Sequence, residues 1–511
     1  MATTTCCLVR PDTYRDSVEL MRVAALVEKL PGVSRAALMM ATPANRELLA
    51  GAGLLDAAGE AAGPNDLVVA VAAADPAAAE RALGEAARLL DEQAAMAAPS
   101  GERGSPRTIA EAVGELPHAN LAIISTPGAY ATAEALKAIK RGLHVFIFSD
   151  NVPIADEVEL KRLAAKKKLL VMGPDCGTGI LDGVPLGFAN AVRRGSIGLV
   201  GASGTGLQEI SCLVDRLGKG CSQVIGVGGH DLDERVGGLM MRAGIERLAT
   251  DPGTRVIVLV SKPPAPAVAR RVLDVARKSG KPVVVNFLGG DPAAIRQAGA
   301  TPAATLEDAA RAAVALARGE RVAATLLAVS TKLAAAGWAK AQRFGKGQSL
   351  VRGLYSGGTL CQEASLILEN ESDNGGGAKH TTIDLGDDAF TVGRPHPMID
   401  FRLRNERILA AAEDRATAVI LLDVVLGYGA HPDPAGALVP ALEGAIQAAA
   451  RGRRGLAFVA SVCGTSADPQ GLQRQAAQLA AAGVLLAPSN AQATRLAAFL
   501  VGQRRPARRK G

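Results

Sequence analysis

GSIGLVGASGTGLQEI, Gly195 to Ile210, reads as a short apolar strand, a glycine-rich turn and the opening of a helix. Gly201 and Gly206 have the spacing of the glycines in a P-loop, G-x-x-x-x-G-K-[ST], but Leu207 and Gln208 stand where lysine and a hydroxyl residue should be. A phosphate held here therefore needs its remaining ligands from elsewhere in the chain.

An echo of the stretch names a source. YSGGTLCQEA repeats GASGTGLQEI at a fixed offset of 154, with Gly204, Thr205, Gln208 and Glu209 matching Gly358, Thr359, Gln362 and Glu363. IGVGGHD against IDLGDDA and VIVLVS against VILLDV follow in the same order, so the third and fourth blocks of the chain are expected to be repeats of one unit. Each repeat presents a helix whose first turn is rich in glycine and hydroxyls. The free N–H groups of such a turn attract an anion, by roughly 0.3 to 2 kcal/mol from the helix dipole and about 1.5 to 3 kcal/mol per charged hydrogen bond. Two such ends facing one another would clamp one phosphoryl group without a P-loop lysine. The phosphate-binding candidates are thus Ser203, Gly204, Thr205 and Gly206 with Gly357, Gly358 and Thr359. The plainer alternative makes both turns tight connections capped by Thr205 and Thr359.

Around this pair, β-branched runs alternate with Ala/Leu-rich helical patterns, which predicts α/β units built on parallel sheets. Residues 1–96 form an N-terminal α/β domain, with strands expected at TCCLVR, VSRAALMM and DLVVAVAA, before the Pro/Gly/Ser segment AAPSGERGSPR. Residues 108–192 read as strand, helix, strand, helix, strand, ending in LLVMGPDCGTGI. The two repeats occupy 193–318 and 345–502, joined by a helical connector carrying Trp338, and 503–511 is a basic tail. The loop ESDNGGG, Glu371 to Gly377, is expected to be exposed and flexible.

Composition narrows the functions. The chain of 511 residues is 48% hydrophobic but only 3% aromatic, which disfavours a base-stacking surface. Five of its net +7 charges lie in the tail RRPARRK, so the body is nearly neutral and nucleic acid is not an expected partner. Seven cysteines without a C-x-x-C and six histidines without ligand spacing support neither a disulfide scaffold nor a metal site. No apolar run approaches a membrane span, and a cytoplasmic location is expected.

Outside the glycine turns, Lys262 in SKPP is a candidate anion ligand at a strand end. Arg394, His396 and Asp400 crowd the loop GRPHPMID, where Arg394 could grip a carboxylate or pair with Asp400. His230, in VGGHDLDERVGG, is a candidate acid or base near neutral pH. Lys262, Arg394 and His230 make up the catalytic set. Cys176 is read as a packing residue, and Asp387 and Asp388 as weak metal candidates.

These motifs resemble the succinyl-CoA synthetase superfamily. IGLVGASGTGLQEI is similar to the turn of its alpha subunit that points at the active-site phosphate, MGPDCGTGI to its G-P-N-C-x-G segment, and YSGGTLCQEA to the corresponding beta-subunit helix. More narrowly, RDSVELM, ATPAN, PND, FSDNV, LLVMGPDCGT, GASGTGLQE, SKPPA and DLGDDAFTVGRPHPMID together resemble the FdrA family. The resemblance implies a CoA-binding-like Rossmann domain at 108–192, followed by two flavodoxin-like domains of the succinyl-CoA synthetase type. It also implies a subunit of oxamate carbamoyltransferase, which works with partner subunits in allantoin breakdown and interconverts oxalurate plus phosphate with oxamate plus carbamoyl phosphate. A homo-oligomer is expected; no cofactor is assigned, CoA or a nucleotide supplied through a partner being the candidates left open. Three departures from the parent enzyme bear on the chemistry. Gln297, in RQAGA, replaces the phosphorylated histidine of G-H-A-G-A; Ser261 and Lys262 replace a glutamate-bearing loop; and neither a G-x-x-G-x-x-G loop near the N-terminus nor an ATP-grasp domain is found. The first reading is therefore a protein acting on carbamoyl phosphate or another acyl phosphate; the alternatives are an acyl-CoA synthetase-like ligase and a non-catalytic CoA or phosphate sensor.

Overall fold

The computed structural model describes residues 4–15, 17–97, 106–322, 329–373, 380–391 and 395–502. The chain divides into two compact units, one of residues 1–107 with 392–395 and one of the remainder.

In the first unit, β1 (Thr4–Arg10), α1 (Ser17–Val27), β2 (Val33–Met40), α2 (Pro43–Gly51), α3 (Ala57–Ala61), β3 (Leu67–Ala73) and α4 (Pro76–Ala97) follow in sequence. The sheet order is β1-β3-β2, with both pairs antiparallel. Parallel sheets were expected throughout, and here the third strand instead enters between the first two and reverses every pairing. Strand–helix alternation leaves that choice open, because β1-α1-β2 is still a parallel crossover with its centre vacant. The run LVVAVAA fills the centre: Leu67, Val69, Val71 and Ala73 join one core and Val68, Ala70 and Ala72 another, the two-residue period of a strand covered on both faces.

The second unit begins with α5 (Ile109–Glu115), β4 (Leu121–Ile124), α6 (Gly128–Lys140), β5 (His144–Ile147), α7 (Ile154–Lys166) and β6 (Val171–Met172), a three-stranded parallel sheet in the order β4-β5-β6. A hairpin of β7 (Thr178–Leu181) and β8 (Val184–Gly187) then leaves that sheet for the next.

The first repeat comprises β9 (Arg194–Ala202), α8 (Gly204–Arg216), β10 (Cys221–Gly226), α9 (Leu239–Thr250), β11 (Val256–Ser261), α10 (Pro266–Arg277), β12 (Val283–Phe287), α11 (Pro292–Gln297), β13 (Thr301–Pro302) and α12 (Leu306–Arg318). After a connecting α13 (Thr331–Ala341), which carries Trp338, comes the second. It comprises β14 (Leu350–Tyr355), α14 (Gly358–Asp373), β15 (Thr381–Asp384), α15 (Asp388–Thr391), α16 (Arg402–Glu413), β16 (Thr417–Val425), α17 (Pro434–Arg451), β17 (Ala457–Cys463), α18 (Leu472–Ala481), β18 (Leu485–Ala487) and α19 (Asn490–Gly502). Glu371 to Asp373, taken from sequence as loop, belong to the last turn of α14; the rest of that stretch and the basic tail lie outside the described residues.

The strand orders β13-β12-β11-β9-β10 and β18-β17-β16-β14-β15 are the same order, and all their pairings are parallel. Each is the 2-1-3-4-5 arrangement of a flavodoxin-like sheet; β7 and β8 extend the first beyond β10. The repeats pack through α8, α12, α14 and α19, whose Leu207, Ile210, Ala309, Ala313, Leu360, Ala364, Leu496 and Leu500 share one core. Small residues on α12 and α14 let the backbones approach, which suits a core built from alanine and leucine in place of aromatics.

Two buried glutamates explain one of the four matched pairs of the sequence echo. Glu209 on α8 accepts a hydrogen bond from Asn490 N at the start of α19, and Glu363 on α14 accepts one from Leu306 N at the start of α12, at 3.2 and 2.7 Å. Each repeat thus caps the last helix of the other, and the paired Glu residues hold the repeats together.

Candidate active site

In a sheet of this order ligands gather outside the carboxyl ends of the strands, at the switch point between the first and third. For the first repeat that point lies between Ala202, ending β9, and Ser261, ending β11; Ser203 and Lys262 follow them directly. Ser203 is the N-cap of α8, its backbone extended at φ −163° and its Oγ accepting from Gly206 N at 3.0 Å. The same Oγ lies 2.6 Å from Thr359 Oγ1, in the first turn of α14. The mouths of the two helices therefore meet.

Glycine makes the approach possible. A Cβ on Gly206 would fall 2.4 Å from Ser203 Oγ and 3.2 Å from Thr359 Cγ2, and one on Gly357 would fall 2.8 Å from Thr205 Cγ2. A Cβ on Gly204 would lie 3.4 Å from Thr178 Oγ1. Thr178, on β7, is 2% exposed, and its hydroxyl has no hydrogen-bond partner among the described residues. Such an orphan is unusual, and here it faces the first residue of α8.

At the other mouth, a Cβ on Gly358 would meet Asp384 Oδ2 at 2.3 Å and Lys262 Nζ at 3.0 Å. Lys262 is exposed; Asp384 ends the edge strand β15 and its Oδ1 accepts from Gly386 N at 3.0 Å. Burial, with Asp423 and Asp387 nearby, holds the Asp384 carboxyl above the usual carboxylate range, against the pull of Lys262 and the Gly386 N–H. The turn itself is fastened from below. Asp423, fully buried at β16, accepts from Ser356 N at 2.9 Å and Gly357 N at 2.8 Å, takes a bond from the Ser356 hydroxyl, and pairs with the fully buried Arg404 at 2.7 Å. These two amides are spent on Asp423, so the turn has a fixed shape before any ligand arrives.

His396 stands beside this mouth, its Nε2 2.8 Å from the Cβ position of Gly386 and its ring 5.4 Å from Phe188. Burial lowers it to about 4, so the imidazole is neutral at physiological pH. Arg394 lies outside the described residues, and Asp400, its suggested partner, is paired with Arg402 at 2.5 Å. His230 follows β10 on the same sheet edge as Ser203 and Lys262, with Nδ1 3.4 Å from Glu157 Oε2. That contact raises its pKa. Glu157 belongs to a fully buried network in which Lys161 Nζ donates to Glu157, Asp231 and Val227 O at 2.7, 2.9 and 2.8 Å. Asp231 in turn accepts from Met240 N and Met241 N at the start of α9. Cys176 is buried and its thiol pushed up to about 12, the state of an unreactive packing residue. Gln297 is exposed at the end of α11.

The structure thus brings together Ser203, Gly206 and Thr359, Thr205 and Gly357, and Lys262 and Gly358. Thr178, Asp384 and Asp423 were not singled out from sequence. For Asp423 a signal existed: it is the one charge inside the apolar run TAVILLDVV, and a carboxylate on a buried central strand needs dedicated partners.

Among the described residues no group of three or more His, Cys, Asp or Glu could hold a metal ion, and no helix is long and apolar enough to cross a membrane.

Three family models match the chain: CoA-ligase at 354–500, CoA binding domain at 192–289, and AllF, heavy metal-associated domain, at 1–106. The uncharacterized protein YahF of Escherichia coli (strain K12) is 42% identical over 499 residues, covering 94% of this chain and 96% of YahF. The alpha subunit of succinate–CoA ligase (ADP-forming) from Methanothermobacter thermautotrophicus is 31% identical over 155 residues, 30% of this chain and 52% of that subunit. Among solved structures, the apo dinucleotide-forming acetyl-coenzyme A synthetase 1 of Ca. Korarchaeum cryptofilum is similar over 75% of this chain and 82% of its own, at 17% identity and a TM-score of 0.32.

Proposed function

The chain belongs to the family of YahF and carries CoA-ligase and CoA-binding regions like those of succinyl-CoA synthetases, and from that premise we propose that its paired helix mouths bind the phosphoryl group of a small acyl phosphate. In its specific form the reading is a carbamoyltransferase subunit that uses carbamoyl phosphate and works with partner subunits. The observation that carries it is the 2.6 Å contact between Ser203 Oγ and Thr359 Oγ1, which puts two helix N-termini, each with a hydroxyl, at one place.

The chemistry follows from charge. When the acyl group of an acyl phosphate is attacked, the phosphate departs with a full negative charge. The Gly206 and Gly357 amides are already bonded to Ser203 Oγ and Asp423, so the other first-turn amides and the helix dipoles stabilise that charge without reorganising, and Lys262 at the rim adds a cation. Gln297 cannot form a phosphoramidate, so this route asks nothing of the position that carries histidine in the parent enzyme. The second reading, an acid–thiol ligase that takes its nucleotide chemistry from a partner, is favoured by the CoA-ligase and CoA-binding regions themselves.

Calorimetric titration of the full chain with carbamoyl phosphate, CoA and ATP, each alone, separates the two. Carbamoyl phosphate is expected to bind, and Thr205→Val to weaken it by about tenfold, the worth of one charged hydrogen bond of roughly 1.5 kcal/mol. Tight CoA binding with no response to carbamoyl phosphate would overturn the first reading in favour of the second.

A further inference from the structure

We propose that Asp384 is itself a ligand of the bound anion and that the two share one proton, which makes the clamp selective for phosphoryl groups over sulfate. The inference rests on the phosphoryl reading above and adds the residue that chooses among tetrahedral anions.

Its basis is the way Asp384 is presented. Oδ1 is fixed by the Gly386 amide, while Oδ2 has no hydrogen-bond partner among the described residues. Oδ2 and Lys262 Nζ both converge on the first residue of α14, at 2.3 and 3.0 Å from the point a Cβ on Gly358 would occupy. The neighbouring mouth carries the second sign of a missing ligand, the buried and unpartnered hydroxyl of Thr178 aimed at Gly204. An anion spanning the two mouths meets Oδ2. Two anionic oxygens in contact repel; with one proton between them they form a short, charge-assisted hydrogen bond.

The groups facing Asp384 come from several elements. Lys262 reaches it from the end of β11, and Asp423, at β16, is already tied to Arg404 and the Ser356–Gly357 turn. Asp387 lies on its own loop; Cys361, on α14, has its thiol pushed up to about 12; His396, across Gly386, is neutral. The raised carboxyl of Asp384 agrees with the assignment. Phosphate can bring the proton with it, or find Asp384 in its acid form. Sulfate stays fully ionised near neutral pH, and binds only when Asp384 is protonated.

Calorimetric titration of the full chain with inorganic phosphate and, separately, with sulfate tests this at pH values from about 5.5 to 8.5. At the alkaline end the wild type is expected to bind phosphate at least about tenfold more tightly than sulfate, and its sulfate affinity to rise by up to about tenfold per pH unit on acidification. Asp384→Asn, whose amide donates to either anion, should lose most of the wild type's preference for phosphate at the alkaline end, and its sulfate affinity should no longer rise on acidification. Binding of both anions with equal, pH-independent affinity in wild type and variant overturns the role of Asp384 and leaves the clamp standing. Failure of wild type and variant to bind either anion at any pH overturns the clamp as well. If Asp384→Asn does not fold, the wild-type sulfate series decides alone: an affinity that does not change with pH overturns the proposal.

Discussion

Asp423→Ala is expected to lower the unfolding free energy of the second unit by roughly 3 to 5 kcal/mol, the usual cost of removing one partner of a buried ion pair. The carboxylate faces one cation and three donors: Arg404, the amides of Ser356 and Gly357, and the Ser356 hydroxyl. Alanine would strand them all in a site with no access to water. Arg404 is the costliest of them, because its Nε and Nη1 have no hydrogen-bond partner among the described residues even with Asp423 present. What remains for its Nη2 is Leu354 O, at 2.9 Å, and Asp423's own backbone carbonyl. Urea denaturation followed by circular dichroism measures the loss, and the double variant Asp423→Ala, Arg404→Met supplies the control. With the cation gone, the double variant should be more stable than Asp423→Ala alone, a coupling of at least about 1 kcal/mol. Strictly additive losses would show that the pair is not what holds the turn. Because the same carboxylate shapes the mouth of α14, Asp423→Ala should also abolish anion binding.

That dependence of the site on Asp423 marks the boundary of what could be read in advance. Ser203, Gly206, Gly357 and Thr359 were legible because the features that make a helix mouth, small residues and a capping hydroxyl, are local and occur twice at one offset. The recurrence indicated that the two blocks share one fold, while the flavodoxin-like order of their sheets was implied only by the family resemblance. The props of the site come from far along the chain: Asp423 is 66 residues from Gly357, and Glu209 is 281 from the amide it caps. No local pattern relates them. Gln208 and Glu209 looked like part of the glycine motif because they recur with it, yet Gln208 donates to Asn190 and Phe188 O while Glu209 serves the other repeat. Recurrence marks two positions as equivalent, and leaves open whether either serves binding or packing. The N-terminal sheet was misjudged for a different reason, since strand direction depends on where the third strand inserts and its apolar run is the same either way.

The buried glutamates that join the repeats make folding depend on pH. Glu363 is 1% exposed; its removal from water pushes its carboxyl up to about 7, helped by Glu209, against the hydrogen bonds from Leu306 N and Asn490 Nδ2. Glu209 is raised in the same direction, again chiefly by burial. A carboxyl whose pKa is higher in the folded state holds its proton after the unfolded chain has released it, so folding becomes less favourable as pH rises. For Glu363 the penalty is absent below its ordinary value of 4.5, accumulates between 4.5 and about 7, and is constant above. Its full size is roughly 3 to 4 kcal/mol, at about 1.4 kcal/mol for each unit of pKa. Unfolding free energies measured across this interval should therefore fall with pH for the wild type and lose that component in Glu363→Gln. The variant should start lower in acid, because a glutamine accepting from Leu306 N turns its NH2 toward the Asn490 amide. As the wild type pays to ionise Glu363, the two curves should converge toward neutral pH. Parallel curves would mean that Glu363 titrates as an ordinary carboxylate and that the contact between the repeats is wet. Convergence would mean that the two helix mouths are held together by an interface that tightens on acidification.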